Sequence, residues 1–424
     1  MAGLALFSLL LAAVSSPGRG NELFTDSSVF LGGALSLLKG VGLYSGYWDH
    51  KPPGIFVIDL PVAALGEIFG RDKLPWIAWW WEQLLFLAAL CFLYLSLRRH
   101  IRSRFRLGSF FVVLIFWARA TSFYEGGNLT EGYALIVQLL AMALVSADPD
   151  NDRNWALAGI CGGASFLFKQ TAIAIPLSLG FVLFLHSLRE GSYRKLLMYL
   201  AGGLLLPVST LVLFGLAGNL GAFWECVFRY NRILVQQFRS RTFSYAWEHS
   251  FVAVISAAFA LAGLALAFLT KPIKSKHFPT VLLFALVALL VDIPLQALSG
   301  SYFGHYFMTL APGVAIGLVA LAVSTQNLCG TSIKKGAATT CIAVASIALP
   351  LWPVIGTSIA GTKHFLSANY GDQAGAARPS AIQATIEFLK DSPGDSVFVW
   401  GIRPDLCYLS GKTMYGRYPN IFPL

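Results

Sequence analysis

The chain has 424 residues, of which 56% are hydrophobic and only 12% charged, with a formal net charge of +10 and a mean hydropathy of +0.65. A soluble domain carries about 25% charged residues, so this composition excludes an ordinary soluble fold and indicates an all-α polytopic membrane protein. No basic face on a soluble module is visible, which excludes nucleic acid as a partner, and the scattered cysteines, without metal-like spacing, read as small core residues.

Residues 2–16 form an apolar run shorter than the ~20 residues that cross a bilayer. Lacking a basic n-region, the run reads as a first transmembrane helix whose natural start lies upstream. Thr25-Asp26-Ser27-Ser28 predicts a helix start, and Val29 to Leu38 gives three turns before Lys39-Gly40 ends them. The run 55–69 is interrupted by Asp59, Pro61 and Glu67, and predicts one helix lying in the membrane interface. Trp76, Trp79, Trp80 and Trp81 suit a lipid–water boundary. Spanning helices are expected at 75–97, 108–122, 131–147, 155–169, 171–187, 196–216, 249–269, 279–298, 306–323 and 336–352, about 11 in all with the first.

Orientation comes from Lys and Arg. Alternate loops hold Arg98, Arg99, Arg102, Arg104 and Arg106, then Arg189, Arg194 and Lys195, then Lys271, Lys274 and Lys276, then Lys334 and Lys335. The positive-inside rule makes these cytoplasmic, whereas 122–131 and 299–306 contain no Lys or Arg. A long first loop, about 17–74, is therefore expected outside, as are 122–131, a loop Phe223–Glu248, and 299–306. The same count makes 1–356 the membrane domain and leaves 357–424 as a short external C-terminal segment. Its helix pattern (Ala381–Lys390) and strand pattern (Ser396–Trp400) suit a small α/β cap.

This topology gathers chemistry on one face. Tyr47-Trp48-Asp49-His50-Lys51-Pro52-Pro53-Gly54 packs an acid, an imidazole, an ammonium and two rings into an elbow fixed by the proline pair. Asp26, Glu125, Glu131, Lys169, Arg229, Arg232, His305 and Tyr306 fall on the same side. A carboxylate beside an apolar wall suits a general base, and cations at that depth are costly unless they meet an anion, either a protein carboxylate or a lipid phosphate. Plainer readings stand beside these: Asp26 as a helix N-cap, Lys51 snorkelling to headgroups, Lys169 in a turn between helices. His305 with Tyr306 also reads as a satisfied interfacial pair, and Arg239 and Arg241 as contacts to anionic lipid. Asp292, inside a span ahead of Pro294, reads as functional by its depth or as a partner of a neighbouring helix. Asn128-Leu129-Thr130 matches a glycosylation acceptor, a common chance match.

The string Asp49-His50-Lys51-Pro52-Pro53-Gly54, preceded by Tyr44 and by Thr25-Asp26, resembles the family 39 glycosyltransferases, the protein mannosyltransferase and aminoarabinose transferase relatives with the GT-C membrane fold. Gly127-Asn128-Leu129-Thr130-Glu131-Gly132-Tyr133, Phe168-Lys169, Gly304-His305-Tyr306-Phe307 and Trp400-Gly401-Ile402-Arg403-Pro404 look like the bacterial branch of that family. The resemblance covers nearly the whole chain. It implies transfer of a sugar from a polyprenyl-phosphate carrier to a hydroxyl of a protein, lipid or glycan acceptor, at the outer face of the cell membrane. Asp26 matches the family's catalytic acid in the first external loop. Lys51 and Lys169 match basic residues at the donor phosphate, where Arg229 and Arg232 are further candidates. Glu125 or Glu131 stands where better-known members carry an Asp. Tyr47, Trp48, Asp49, His50, His305, Tyr306 and Arg403 are the candidate substrate-binding residues, and Asp49 with His50 is a candidate pair of ligands to a divalent metal. Attack opposite the phosphate implies inversion. Two other readings stay open: a ligase or polymerase using a diphosphate-linked donor, and a non-catalytic transporter of lipid or solute.

Overall fold

A computed structural model of the protein describes residues 1–17, 25–238, 243–271, 278–298 and 302–328, and, beyond those, 344–349, 351–352, 354–356, 359, 381–397 and 405–414. The chain folds into helices: α1 (Ala2–Ala13), α2 (Thr25–Leu38), α3 (Gly54–Ile58), α4 (Leu60–Phe69), α5 (Leu74–Leu97), α6 (Arg104–Arg119), α7 (Thr121–Tyr124), α8 (Thr130–Ala147), α9 (Asp152–Phe168), α10 (Ala174–Glu190), α11 (Arg194–Leu216), α12 (Leu220–Trp224), α13 (Asn231–Phe238), α14 (Phe243–Thr270), α15 (Phe278–Ala297) and α16 (Ala311–Leu328). Among the described residues, six helices are long and apolar enough to cross a membrane. The protein is a multi-pass membrane protein. Near the C-terminus a helix (Ala381–Asp391) is followed by a two-residue strand, Ser396–Val397, that pairs parallel with Thr413–Met414.

Local sequence accounts for most helix ends. Asn151 caps α9 by accepting the Arg153 N–H at 3.0 Å, and Gly191 ends α10 in the left-handed conformation with φ 69°. The run 55–69 is two helices, not one. Pro61 has no N–H to continue the ladder, so α3 stops at Ile58 and α4 restarts with Pro61 in its first turn. The expected loop at 223–248 is largely helical: α12 runs into a π-helical stretch, Glu225–Tyr230, and then α13. The expected span at 306–323 begins as a 3-10 turn, Gly304–Leu310, before α16. Most of the expected span at 336–352 lies outside the described residues.

Packing follows from small residues. A Cβ on Gly159 of α9 would lie 2.0 Å from the Tyr199 carbonyl of α11, and one on Gly202 would lie 2.1 Å from the Ala156 carbonyl. Only glycine permits such backbone approach, the usual basis of helix pairing in lipid. The rest of α11 turns leucines and valines outward, including Leu204, Leu205, Val208 and Leu213, as a lipid-facing helix should. By contrast α8 is packed between α5 and α9 and is mostly buried. Its first turn, the start of α2 and the end of α9 converge at one end of the bundle, where the 39–54 segment closes over them.

Candidate functional site

The 39–54 segment is built to hold Lys51 still. Tyr44 takes φ 68°, its N–H bonds the Tyr47 carbonyl at 2.6 Å, and its hydroxyl donates to the Lys51 carbonyl at 2.9 Å. Tyr47 is buried and donates its hydroxyl to the Val29 carbonyl at 2.6 Å, anchoring the segment to α2. Asp49 closes the turn by accepting the Lys51 N–H on Oδ1 at 2.7 Å. At the elbow a Cβ on Gly54 would lie 2.6 Å from the Leu167 carbonyl, so the turn rests directly on the last turn of α9.

Lys51 is 8% exposed. Burial alone would lower its pKa, but Tyr306, Asp26, Glu131 and Asp49 outweigh it and hold the ammonium above the usual lysine range. Asp49 moves the other way. Burial, opposed by the Lys51 N–H and charge and helped by Asp26, pushes its carboxyl up to about 7. His50 is half-buried; desolvation, then Lys51 and Lys169, hold it well below the usual imidazole range, so it is neutral. Asp26, half-buried, lies in the first turn of α2, which begins at Thr25.

The second half of the site comes from three other segments. Lys169, extended at the end of α9, bonds Glu131 of α8 at 2.5 Å with both side chains buried. Its ammonium sits 3.2 Å from the centre of the Tyr306 ring, and that of Lys51 sits 5.8 Å from the same ring. Thr130 donates to the other Glu131 oxygen at 2.8 Å. His305 Nδ1 lies 2.8 Å from Glu125, and its Nε2 lies 4.0 Å from Glu131. Two ammonium groups from distant parts of the sequence thus flank one aromatic face, with carboxylates around them.

The structure therefore brings together Asp26, Asp49, Lys51, Glu125, Glu131, Lys169, His305 and Tyr306. Other candidates sit apart. Arg229 is exposed and pairs with Glu225 at 3.0 Å; Arg232 is exposed on α13. Trp48 packs edge-on against Tyr230 at 4.8 Å, and Asn231 donates to the His50 carbonyl at 2.8 Å, so the π-helical stretch and α13 form the outer wall of the site. Arg403 lies outside the described residues.

Asp49 and His50 supply only two of the side chains that a divalent metal would need; Asp49 Oδ1 and His50 Nδ1 lie 3.8 Å apart, and that oxygen accepts the Lys51 N–H. Among the described residues no group of three or more His, Cys, Asp or Glu side chains could hold an ion.

Sequence reasoning missed the polar knot behind the site. Glu82 of α5 and Arg119 of α6 form a buried ion pair at 2.7 Å. The guanidinium also lies over the Phe86 ring at 3.8 Å and the Tyr124 ring at 4.5 Å. Glu82 accepts the Asn128 N–H at 2.6 Å, Asn128 Nδ2 donates to Asp59 at 3.1 Å, and the Tyr133 hydroxyl donates to Asn128 Oδ1 at 2.9 Å. Asp59 is buried and its carboxyl is pushed up to about 8. The signal was two opposite charges inside expected apolar spans, which lipid tolerates only when they pair. Asn128 is buried in the same knot, out of reach as a glycosylation acceptor. Asp292 bonds Gln296 on its own helix at 2.6 Å, and Gln296 reaches Thr309 at 3.2 Å.

No family model matches the sequence, and no curated protein matches it. Solved structures do. The Archaeoglobus fulgidus oligosaccharyltransferase tethered to an acceptor peptide containing the NVT sequon superposes with TM-score 0.54 at 14% identity, covering 99% of this chain and 63% of that one. Its apo form gives 0.53 at 13%, covering 98% and 64%. The AglB oligosaccharyltransferase of that organism in complex with an inhibitory peptide and a dolichol-phosphate gives 0.52 at 12%, again covering 98% and 64%. The fold is the GT-C membrane fold. The chain spans somewhat less than two thirds of the length of these GT-C proteins.

Proposed function

We propose that the protein is a membrane glycosyltransferase, related to the bacterial branch of family 39, that moves a sugar from a polyprenyl-phosphate carrier to an acceptor hydroxyl. The observation that carries this reading is that the Lys51 and Lys169 ammonium groups both approach the Tyr306 ring, 5.8 and 3.2 Å from its centre, each beside an acid. A lone ammonium buried there would be costly; two of them offer a site for a phosphate. Dolichol-phosphate in a neighbour of the same fold supports a lipid phosphate as the ligand. The chain's residues 1–356 are then the catalytic membrane domain, with about 11 spans, and 357–424 an external segment.

The reaction needs little from the protein beyond placement and charge. The bond between the anomeric carbon and the phosphate oxygen breaks, and the phosphate leaves with the electron pair, held by the two lysines. The acceptor oxygen attacks the opposite face, inverting the configuration, and gives its proton to Asp26. Glu131 and Thr130 fix Lys169, while Asp49 fixes the Lys51 backbone. The acid–lysine cluster opens away from the cytoplasm under the positive-inside assignment.

Purified protein in nanodiscs, supplied with an extract of polyprenyl-linked sugars, should yield a glycosylated acceptor detectable by mass spectrometry. Asp26→Asn should fold and yield none; full transfer by that variant would remove Asp26 from the mechanism. The kinship in fold with oligosaccharyltransferases favours one second reading, transfer of a glycan from a diphosphate-linked donor. Product from diphosphate-linked but not monophosphate-linked sugar would select it, and solute uptake without product would select a transporter.

A further inference from the structure

Ser27 is fully buried beside Asp26, and its hydroxyl donates to the Gly127 carbonyl at 2.6 Å, 100 positions along the chain, with the Asn128 carbonyl 3.2 Å away. The residues it meets are unusual. Glu125, Gly126, Gly127 and Asn128 have φ of 45°, 89°, 83° and 55°, four left-handed positions in a row. Two of these are not glycine, and a chain keeps such a run only where its surroundings impose it.

Asn128 is where that imposition is applied. Its N–H goes to Glu82, its side-chain Nδ2 donates to Asp59, and its side-chain Oδ1 accepts from the Tyr133 hydroxyl. Gly127 has no room for anything larger, since a Cβ there would lie 2.5 Å from Glu82 Oε2. On one side of this fixed point stands Glu125, which meets His305; on the other stands Glu131, which meets Lys169. The Ser27 hydroxyl directly links this segment to the start of α2, where Asp26 acts on Lys51.

We propose that Ser27 and Asn128 are positioning residues: they lock the α2 start to the 125–131 segment and so set the spacing between the Asp26–Lys51 and Glu131–Lys169 halves of the site. The proposal rests on reading that site as one that holds a lipid phosphate. Neither residue touches the reacting atoms; their part is to hold the two halves of the site, with their ammonium groups, in register.

The test uses the full chain in nanodiscs, titrated with a polyprenyl monophosphate that carries no sugar and followed by tryptophan fluorescence, with thermal unfolding in parallel. Lys51→Gln and Lys169→Gln should each weaken binding about tenfold or more. Ser27→Ala should weaken it about tenfold while the melting midpoint stays within about 3 °C, and Ser27→Thr, which keeps the hydroxyl, should recover most of the loss. Asn128→Ala should weaken binding as Ser27→Ala does. If Ser27→Ala binds like the parent while the lysine variants lose binding, the positioning role is overturned and the phosphate site stands. If Ser27→Thr is as weak as Ser27→Ala, or the midpoint falls in step with binding, the loss is general disturbance and the positioning role is likewise overturned. Lysine variants that bind like the parent overturn the phosphate site itself.

Discussion

The Lys169 ammonium bonds Glu131 at 2.5 Å and lies 3.2 Å from the centre of the Tyr306 ring. It is thus held by a full negative charge and by a π face, and the π face is the weaker hold. A phosphate arriving beside Tyr306 would meet a cation already oriented and largely dehydrated. Lys169→Gln should lower donor affinity at least about tenfold, whereas Tyr306→Leu, which removes only the ring, should cost less, about 1 kcal/mol. Titration with the lipid phosphate measures both.

The Glu82–Arg119 pair sets up a test that is read in stability. Removing one partner strands a buried charge, so Glu82→Gln or Arg119→Met should each cost about 3–5 kcal/mol. The double variant Glu82→Gln with Arg119→Met should recover much of that, since no charge remains to be solvated. Unfolding in detergent would show it as a double variant melting above either single one. A strictly additive loss would mean that the pair is not coupled.

Asp49 makes stability depend on pH in a definite direction. An unfolded aspartate releases its proton near pH 3.9, whereas in the fold this one holds it up to about 7. Between those values the unfolded chain binds fewer protons, so stability falls as pH rises, by about 1.4 kcal/mol per pH unit for this group at most, and levels off above 7. Asp49→Asn keeps the oxygen that accepts the Lys51 N–H and has nothing to titrate. Its melting midpoint relative to the parent should therefore rise from pH 4.5 to 7.5. Neutral His50 acts with the opposite sign, losing stability as pH falls through its unfolded value, but it is common to both proteins and cancels in the difference.

Helices α9 and α11 admit no side chain between them at Gly159. Gly159→Val should push them apart at a cost of about 1–3 kcal/mol or more, seen as a lower midpoint. Because α9 carries Lys169 at its end, phosphate affinity should fall with it. Gly215→Ala, on the same α11 where nothing lies within 4 Å of the added methyl, is the control and should do neither.

The sequence made the six long apolar helices plain, because a long apolar stretch is a signal written locally. It also marked most of the charged groups that meet at the site, since Lys51, Glu131, Lys169 and His305 are conspicuous in so apolar a chain. What it could not show was pairing. Glu131 could have met any of several cations, and nothing local says that it meets Lys169 while Arg229 turns outward to Glu225. Nor does anything local say that Ser27 will find a carbonyl 100 residues on. The break at Asp59 was legible in Pro61, but the helices of 220–238 were hidden by their mixed polar composition, which reads as a loop until aromatic contacts such as Trp48–Tyr230 and Phe214–Phe223 are formed.

The contact between Gly54 and the Leu167 carbonyl has a mechanical meaning. It welds the first loop to the final turn of α9 a few residues from Lys51 on one strand of the weld and Lys169 on the other. The backbones that carry the two cations are thus joined here directly, in addition to the Ser27 link that ties α2 to the 125–131 segment. The wall opposite, from Glu225 to Phe238, meets the loop through side-chain bonds and ring contacts, such as Asn231 to the His50 carbonyl and Trp48 against Tyr230, a looser join than backbone seated on backbone.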